Sequence, residues 1–151
     1  MKKLTVIFVF AILMLSTMAC AKESKSNSKW GTNLENAIKI ASAQNKSILV
    51  DFTGSDWCIW CHRLDNEVFS TKEFSDWADK NLVLVKLDFP RNIKQSKETK
   101  LYNRNLARKY EIKGFPTILV LDSKGKLLEK TGYLPGGPLK YIESLKRIIK
   151  K

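Results

Sequence analysis

The stretch Asp56-Trp57-Cys58-Ile59-Trp60-Cys61-His62, written DWCIWCH, places two cysteines close together near the middle of the chain. Two cysteines with two residues between them are typical of a dithiol that is oxidised to a disulfide and reduced again. With His62 attached, the same letters spell C-x-x-C-H, the attachment site of a c-type haem. Thiolate and imidazole groups are also good ligands for zinc and copper. The rest of the sequence therefore has to distinguish a redox dithiol from a haem site and a metal site.

A c-type haem usually has a second axial ligand besides the motif histidine, and that ligand is Met or another His. The chain has one His, and its three methionines, Met1, Met14 and Met18, all lie in the N-terminal segment. A structural zinc site needs four ligands, and no second cluster completes the three at the motif. The sequence therefore disfavours haem and zinc. Copper held by the dithiol of an exported binding module stays open as the alternative function.

Residues 1–20 have the three parts of a secretory signal peptide. Lys2 and Lys3 give a positive start, residues 6–15 form an unbroken apolar run, and small residues follow it. The apolar run is shorter than the roughly 20 residues that a membrane-spanning helix needs. We therefore predict export to the periplasm or cell envelope.

Beyond the signal peptide, the polar residues 21–29 predict a flexible tether, and residues 30–151 predict one folded domain. Cys20 stands at the end of the predicted signal peptide. One interpretation makes Cys20 the lipid-bearing first residue of a bacterial lipoprotein, tethered to the membrane. The other is ordinary cleavage after Ala21.

Only Cys58 and Cys61 remain in the predicted domain once Cys20 is assigned to processing. One close pair is not a disulfide framework of the kind that stabilises small exported domains. A bond that closes so short a loop also adds little stability. We therefore expect the pair to have a chemical role.

The net charge is +12, and the basic residues are spread along the chain. An exported protein meets little nucleic acid, so no nucleic-acid partner is predicted. The charge predicts a solvated basic surface, with attraction to anionic lipid or acidic partners as the alternative.

The apolar pattern predicts alternating helices and strands. Capping boxes at residues 32–35 and 70–73 open two of the helices. The strands are expected at 47–52, 81–88, 117–121 and through 127–128, and the other helices over 58–69, over 97–110 and from residue 136. This order predicts an α/β fold with a central mixed sheet and helices on both faces.

The two cysteines occupy different positions in this pattern. A strand ends shortly before Cys58, and the predicted helix 58–69 begins at it, where the helix dipole and free backbone N–H groups favour a thiolate. Cys61 lies one turn further in and is expected to be more shielded. This asymmetry suits a nucleophilic thiol and a resolving thiol.

Three motifs resemble the thioredoxin superfamily, namely Val50-Asp51-Phe52, Trp57-Cys58-x-x-Cys61 and Gly114-Phe115-Pro116-Thr117. The run T-G-S-D-W-C-x-W-C is most similar to the exported bacterial thioredoxin-like branch. The resemblance covers about residues 30 to 150. It implies a thioredoxin fold and a monomeric thiol–disulfide oxidoreductase that acts on protein or peptide disulfides. It implies no bound cofactor and an unidentified redox partner, such as a membrane reductase.

The resemblance also implies roles for single residues. Cys58 would attack the substrate disulfide and Cys61 would resolve the mixed disulfide. Pro116 would be a cis-proline facing the disulfide, and the backbone of Phe115 would pair with an extended substrate. Asp51 would be the buried acid that exchanges protons with Cys61.

Other residues near the motif are expected to affect binding and reactivity. Trp57 and Trp60 flank Cys58 and are interpreted as a substrate platform. His62 either stabilises the Cys58 thiolate or points into solvent. Compared with minimal thioredoxins, extra residues are expected at 89–96.

The residues between the cysteines bear on the redox direction. Strong oxidants hold their nucleophilic thiolate unusually well, often with a His between the cysteines. Ile59 and Trp60 fill that gap here and carry no charge. With Asp51 as proton acceptor, this predicts a reductase or isomerase, although His62 would act in the opposite direction by lowering the pKa of Cys58.

Overall fold

The computed structural model describes residues 30–150. The predicted signal peptide (1–20), the predicted tether (21–29) and Cys20 lie outside the described residues. Within 30–150, no helix is both long enough and apolar enough to cross a membrane.

The described part of the chain alternates helices and strands in the predicted order. The elements are α1 (Leu34–Gln44), β1 (Ser47–Thr53), α2 (Ile59–Leu64), a π-helical segment (Asp65–Phe69), α3 (Lys72–Asn81), β2 (Leu82–Asp88), α4 (Lys97–Lys109), β3 (Thr117–Leu121), β4 (Leu127–Thr131) and α5 (Gly137–Ile149).

The four strands form one mixed sheet in the order β2-β1-β3-β4. Strand β1 pairs in parallel with β2 and antiparallel with β3, and β3 pairs antiparallel with β4. Strand β1 is therefore central, and its C-terminal end leads directly into the cysteine motif. The predicted mixed sheet is confirmed.

Each face of the sheet is covered by helices, because successive strand residues point to opposite faces. On one face, Leu49 packs in a core with residues of α2, the π-helical segment, α3 and α5. On the other face, Val50 and Phe52 pack in a core with residues of α1 and α4. The predicted layers of helix, sheet and helix are thus confirmed.

The single helix predicted for residues 58–69 has a different form in the structure. Helix α2 begins at Ile59 with Cys58 as its N-cap, and its last turn gives way to the π-helical segment. There the N–H of Ser70 donates to the carbonyl of Asp65 at 2.8 Å. The wider turn buries the consecutive residues Val68 and Phe69 together in the core beneath α5. The packing of these two side chains therefore accounts for a π-helical turn where the sequence predicted a regular α-helix.

The two predicted capping boxes are each displaced by one residue. The N-caps are Asn33, whose side chain accepts from the N–H of Asn36 at 2.7 Å, and Thr71, whose hydroxyl accepts from the N–H of Phe74 at 3.3 Å. Both helices begin where predicted to within a residue.

Candidate active site

Cys58 and Cys61 form a disulfide at the N-terminus of α2, with their Cα atoms 5.2 Å apart. The Cys58 sulfur also accepts a hydrogen bond from the backbone N–H of Cys61 at 3.2 Å, so a side chain in the N-cap position satisfies a free helix donor. A thiolate on Cys58 would accept from the same donor at the positive end of the helix dipole. The local geometry therefore favours Cys58 as the attacking thiol.

The expectation that Cys61 is more shielded than Cys58 is wrong for this disulfide state. Both residues are 5% exposed. The bond holds the two sulfurs together, so they share one environment. The difference between the cysteines lies in their hydrogen bonding, because only the Cys58 sulfur occupies the N-cap position.

Asp51 lies on β1, on the face that α2 covers, and it is 4% exposed. Burial raises its pKa to about 7, the nearby charges of Asp65 and Asp88 act in the same direction, and the charge of Lys86 lowers it. Its Oδ1 atom has no hydrogen-bond partner among the described residues. A carboxyl group that titrates near neutral pH can accept and return a proton during a reaction at that pH.

A cavity of about 220 Å³ opens beside Cys61, and Asp65 and Lys86 also line it. Lys86 donates to Asp65 at 3.2 Å and lies 4.9 Å from the centre of the Trp30 ring. Both residues act on the pKa of Asp51. Cys61 and the two charged residues that act on the pKa of Asp51 therefore line the same cavity.

His62 is exposed, and its Nε2 atom donates to the backbone carbonyl of Ser55 at 2.7 Å. It makes no hydrogen bond to either sulfur. Its ring is thus held against the turn before Cys58, and its effect on the thiolate stays a prediction.

Trp57 is fixed from several sides. Its Nε1 donates to the carbonyl of Phe89 at 2.8 Å, and its ring meets Phe115 edge-on with centroids 5.7 Å apart. The guanidinium of Arg91 lies 4.0 Å from the ring centre. A Cβ atom on Gly54 would come within 2.5 Å of the ring, so a glycine is required there. The tryptophan is a rigid part of the surface beside Cys58.

Trp60 is held on the other side of the motif by a cluster that the sequence did not indicate. Its ring, 50% exposed, lies 5.4 Å from the ring of Tyr133. Arg63 lies 5.5 Å from both ring centres and pairs with Glu67 at 2.6 Å. Glu67 in turn accepts from the Tyr133 hydroxyl at 2.7 Å. With Ile59 75% exposed, this side presents an apolar patch at the disulfide.

Pro116 precedes β3, and the Phe115–Pro116 peptide bond is cis, the form that the resemblance implied. The Phe115 ring packs between Trp57 and Phe89, with its centroid 5.1 Å from that of Phe89. The substrate-binding roles of Phe115 and Pro116 stay predictions.

The loop 89–96 is bound to the turn before Cys58 through Asp56. The Asp56 carboxylate accepts from three consecutive backbone N–H groups, those of Arg91 at 2.9 Å, Asn92 at 2.6 Å and Ile93 at 3.1 Å. These hydrogen bonds, that from Arg91 foremost, lower the pKa of Asp56. Asp56 stands inside the motif, but its partners lie far along the chain, and no local pattern indicated them.

A second contact joins the turn before Cys58 to the last residue of β2. Ser55 donates to the Asp88 carboxylate through its backbone N–H at 2.9 Å and its hydroxyl at 2.6 Å. The loop 89–96, where extra residues relative to minimal thioredoxins are expected, thus lies against the turn before Cys58. Over residues 30–150, no three side chains of His, Cys, Asp or Glu are grouped so that they could hold a metal ion.

Comparison with known proteins agrees with this geometry. Residues 34–145 match the family model described as a thioredoxin-like domain. The chain is 34% identical over 125 residues to "Disulfide bond reductase DsbH" of Chlamydia pneumoniae, covering 83% of this chain and 75% of that protein. A solved structure described as "DsbH Oxidoreductase" superimposes with a TM-score of 0.77 at 34% identity, covering 82% of this chain and 85% of that one.

A more distant relative is "Thioredoxin-related protein DsbJ" of Chlamydia pneumoniae, 26% identical over 129 residues, of whose length the chain spans 37%. The chain belongs to the thioredoxin-like family, with the thioredoxin fold that the sequence predicted. It is a thiol–disulfide oxidoreductase, and the two cysteines of its C-x-x-C motif, Cys58 and Cys61, form a disulfide.

Proposed function

We propose that the protein reduces or isomerises disulfides of proteins or peptides in the cell envelope. The observation that carries this direction is the uncharged pair Ile59 and Trp60 between the cysteines, because strong oxidants often have a His there. The buried Asp51, whose pKa is about 7, can take the proton of the resolving thiol during the reaction. The relative of 34% identity is itself named a disulfide bond reductase.

The reaction starts with the reduced protein. The Cys58 thiolate attacks one sulfur of the substrate disulfide, and the other substrate sulfur leaves as a thiolate. Asp51, as carboxylate, takes the proton of Cys61. The Cys61 thiolate then attacks the Cys58 sulfur and expels the second substrate sulfur as a thiolate. The two substrate thiolates become thiols by taking one proton from Asp51 and one from water. Two electrons have passed to the substrate, and the protein holds the Cys58–Cys61 disulfide.

The surface around the disulfide supports binding of an extended segment. Trp57 and Phe115 form a rigid wall on one side, and Trp60 provides a half-exposed aromatic ring on the other. The backbone of Phe115 would pair with the extended substrate chain.

The cellular setting follows from the N-terminal sequence. The signal peptide at 1–20 would export a monomer, and Cys20 would either carry a lipid or be lost on cleavage. The oxidised protein needs a further dithiol to reduce it, which we assign to an unidentified redox partner such as a membrane reductase.

The test is a single turnover with a disulfide-bonded protein such as insulin. The reduced protein, freed from excess dithiothreitol, should yield one equivalent of reduced substrate and of oxidised protein. Cys58→Ser should be inactive. If the wild-type protein leaves the substrate oxidised under these conditions, the proposed direction is wrong.

A further inference from the structure

The loop 89–96 places a cation beside the active site. Arg91 is exposed, and its guanidinium lies 4.0 Å from the centre of the Trp57 ring. Trp57 directly precedes Cys58 and contacts Phe115, which precedes the cis-proline. Only the Trp57 ring therefore lies between Arg91 and the two segments that border the disulfide.

The position of Arg91 is set by its backbone and not by an ion pair. Asp56 accepts from the N–H of Arg91 and of the two residues after it, and this fixes the loop. No carboxylate lies within 4.0 Å of the Arg91 side-chain nitrogens among residues 30–150, where the recorded ion pairs are Arg63–Glu67, Lys72–Asp76 and Lys86–Asp65. The guanidinium is thus ordered on the Trp57 ring while its hydrogen-bond donors face solvent.

The arginine on the opposite side of the motif differs in this respect. Arg63 also lies over aromatic rings, but its charge is paired with Glu67 at 2.6 Å. An arginine already bound to a carboxylate attracts a second one weakly. Of these two arginines beside the motif, Arg91 is therefore the one whose charge is not paired with a carboxylate.

We propose that Arg91 is a specificity determinant that favours substrates with a carboxylate next to the disulfide. An ordered guanidinium can bind a carboxylate through two parallel N–H···O bonds, which a flexible ammonium cannot reproduce. Aspartate or glutamate beside a substrate cysteine is the matching group. This inference rests on the proposed reductase function, and the experiment separates the two.

The experiment uses three synthetic peptides that contain one disulfide and differ only in the residue flanking it, which is Glu, Gln or Lys. Each is mixed with the reduced wild-type protein in a single turnover. The reduced protein supplies both electrons, the peptide disulfide breaks, and the Cys58–Cys61 bond forms. The second-order rate constant is read from acid-quenched samples by chromatography.

The deciding quantity is the ratio of the Glu to the Gln rate constant, compared between variants. A carboxylate beside a disulfide also repels the attacking thiolate, so the ratio in one protein alone decides nothing. Arg91→Gln should lower this ratio about two- to fivefold, the range expected for one exposed ion pair. Arg91→Lys should retain part of the wild-type preference for the Glu peptide. In 1 M salt, most of the difference in ratio between wild type and Arg91→Gln should disappear, because the screening length is then about 3 Å.

Lys94→Gln is the matched control, since Lys94 is an exposed cation on the same loop. It should leave the ratio at the wild-type value. An equal loss in Lys94→Gln would mean that diffuse loop charge acts, which overturns the assignment to Arg91. A uniform slowing of all three peptides by Arg91→Gln would reveal a structural role only and also overturn it.

The two proposals fail in different ways. If the wild-type protein reduces none of the peptides, the reductase function fails and the inference fails with it. If all peptides are reduced and Arg91→Gln has the wild-type ratio, the function stands and Arg91 has no part in selection.

Discussion

Asp51→Asn should make the protein more stable at alkaline pH, even though we propose that the residue serves the reaction. In the folded protein, burial raises the pKa of Asp51 to about 7 from the ordinary 3.8. Between these values the folded state binds a proton that the unfolded state has released. The stability that this proton confers is complete below about pH 4 and is lost as the pH rises towards 7.

The magnitude follows from the size of that difference. Each tenfold change in a protonation equilibrium is worth about 1.4 kcal/mol, so a rise from 3.8 to about 7 corresponds to about 4 kcal/mol of destabilisation at pH 8. The asparagine carries no charge, but its buried amide brings N–H donors in place of a carboxyl oxygen, and a buried donor without a partner costs about 1 to 3 kcal/mol. Asp51→Asn should therefore be more stable than wild type by about 1 to 3 kcal/mol at pH 8.

The assay is guanidinium unfolding of the oxidised proteins at pH 4 to 8. The difference in free energy of unfolding between Asp51→Asn and wild type should increase by about 4 kcal/mol across this range. Asp79→Asn removes an exposed carboxylate from α3 and should change stability by less than about 0.5 kcal/mol. If the Asp51→Asn and wild-type curves run parallel with pH, Asp51 is not a buried, proton-binding acid.

Three further results are expected. Cys61→Ser should accumulate mixed disulfides with substrates in cells, because Cys58 can attack but nothing releases the product; accumulation in Cys58→Ser instead would reverse the two roles. Asp56→Ala should release the loop 89–96 and increase its amide hydrogen exchange, since three N–H groups lose their acceptor; unchanged exchange would show that the loop holds itself. If Cys20 is lipidated, Cys20→Ala should move the protein from the membrane fraction to the soluble one, whereas a soluble distribution of both forms would favour cleavage after Ala21.

Local sequence pattern was sufficient for the arrangement that places the disulfide. The apolar run of β1 predicted a buried strand, and the break after it put Cys58 at a helix start, where the structure has it. The resemblance added the cis bond before Pro116. Burial of Asp51 follows from its place in the central strand, on a face that α2 covers.

The features that the sequence did not indicate depend on contacts between distant segments. The hydrogen bonds of Asp56 join residues about 35 positions apart, and Glu67 reaches Tyr133 over 66 positions. The π-helical segment differs from an α-helix by a shift in hydrogen-bond partner that no periodicity records. The need for glycine at position 54 appears only once the Trp57 ring is in place.

The reduction potential of the Cys58–Cys61 pair tests the proposed direction most directly. It is measured by equilibrating the protein with a series of glutathione ratios and quantifying the oxidised fraction. Neutral residues between the cysteines predict a value near the roughly −270 mV of thioredoxin. A value near the roughly −120 mV of the strong periplasmic oxidant would contradict the account, because such a protein would take electrons from its substrates.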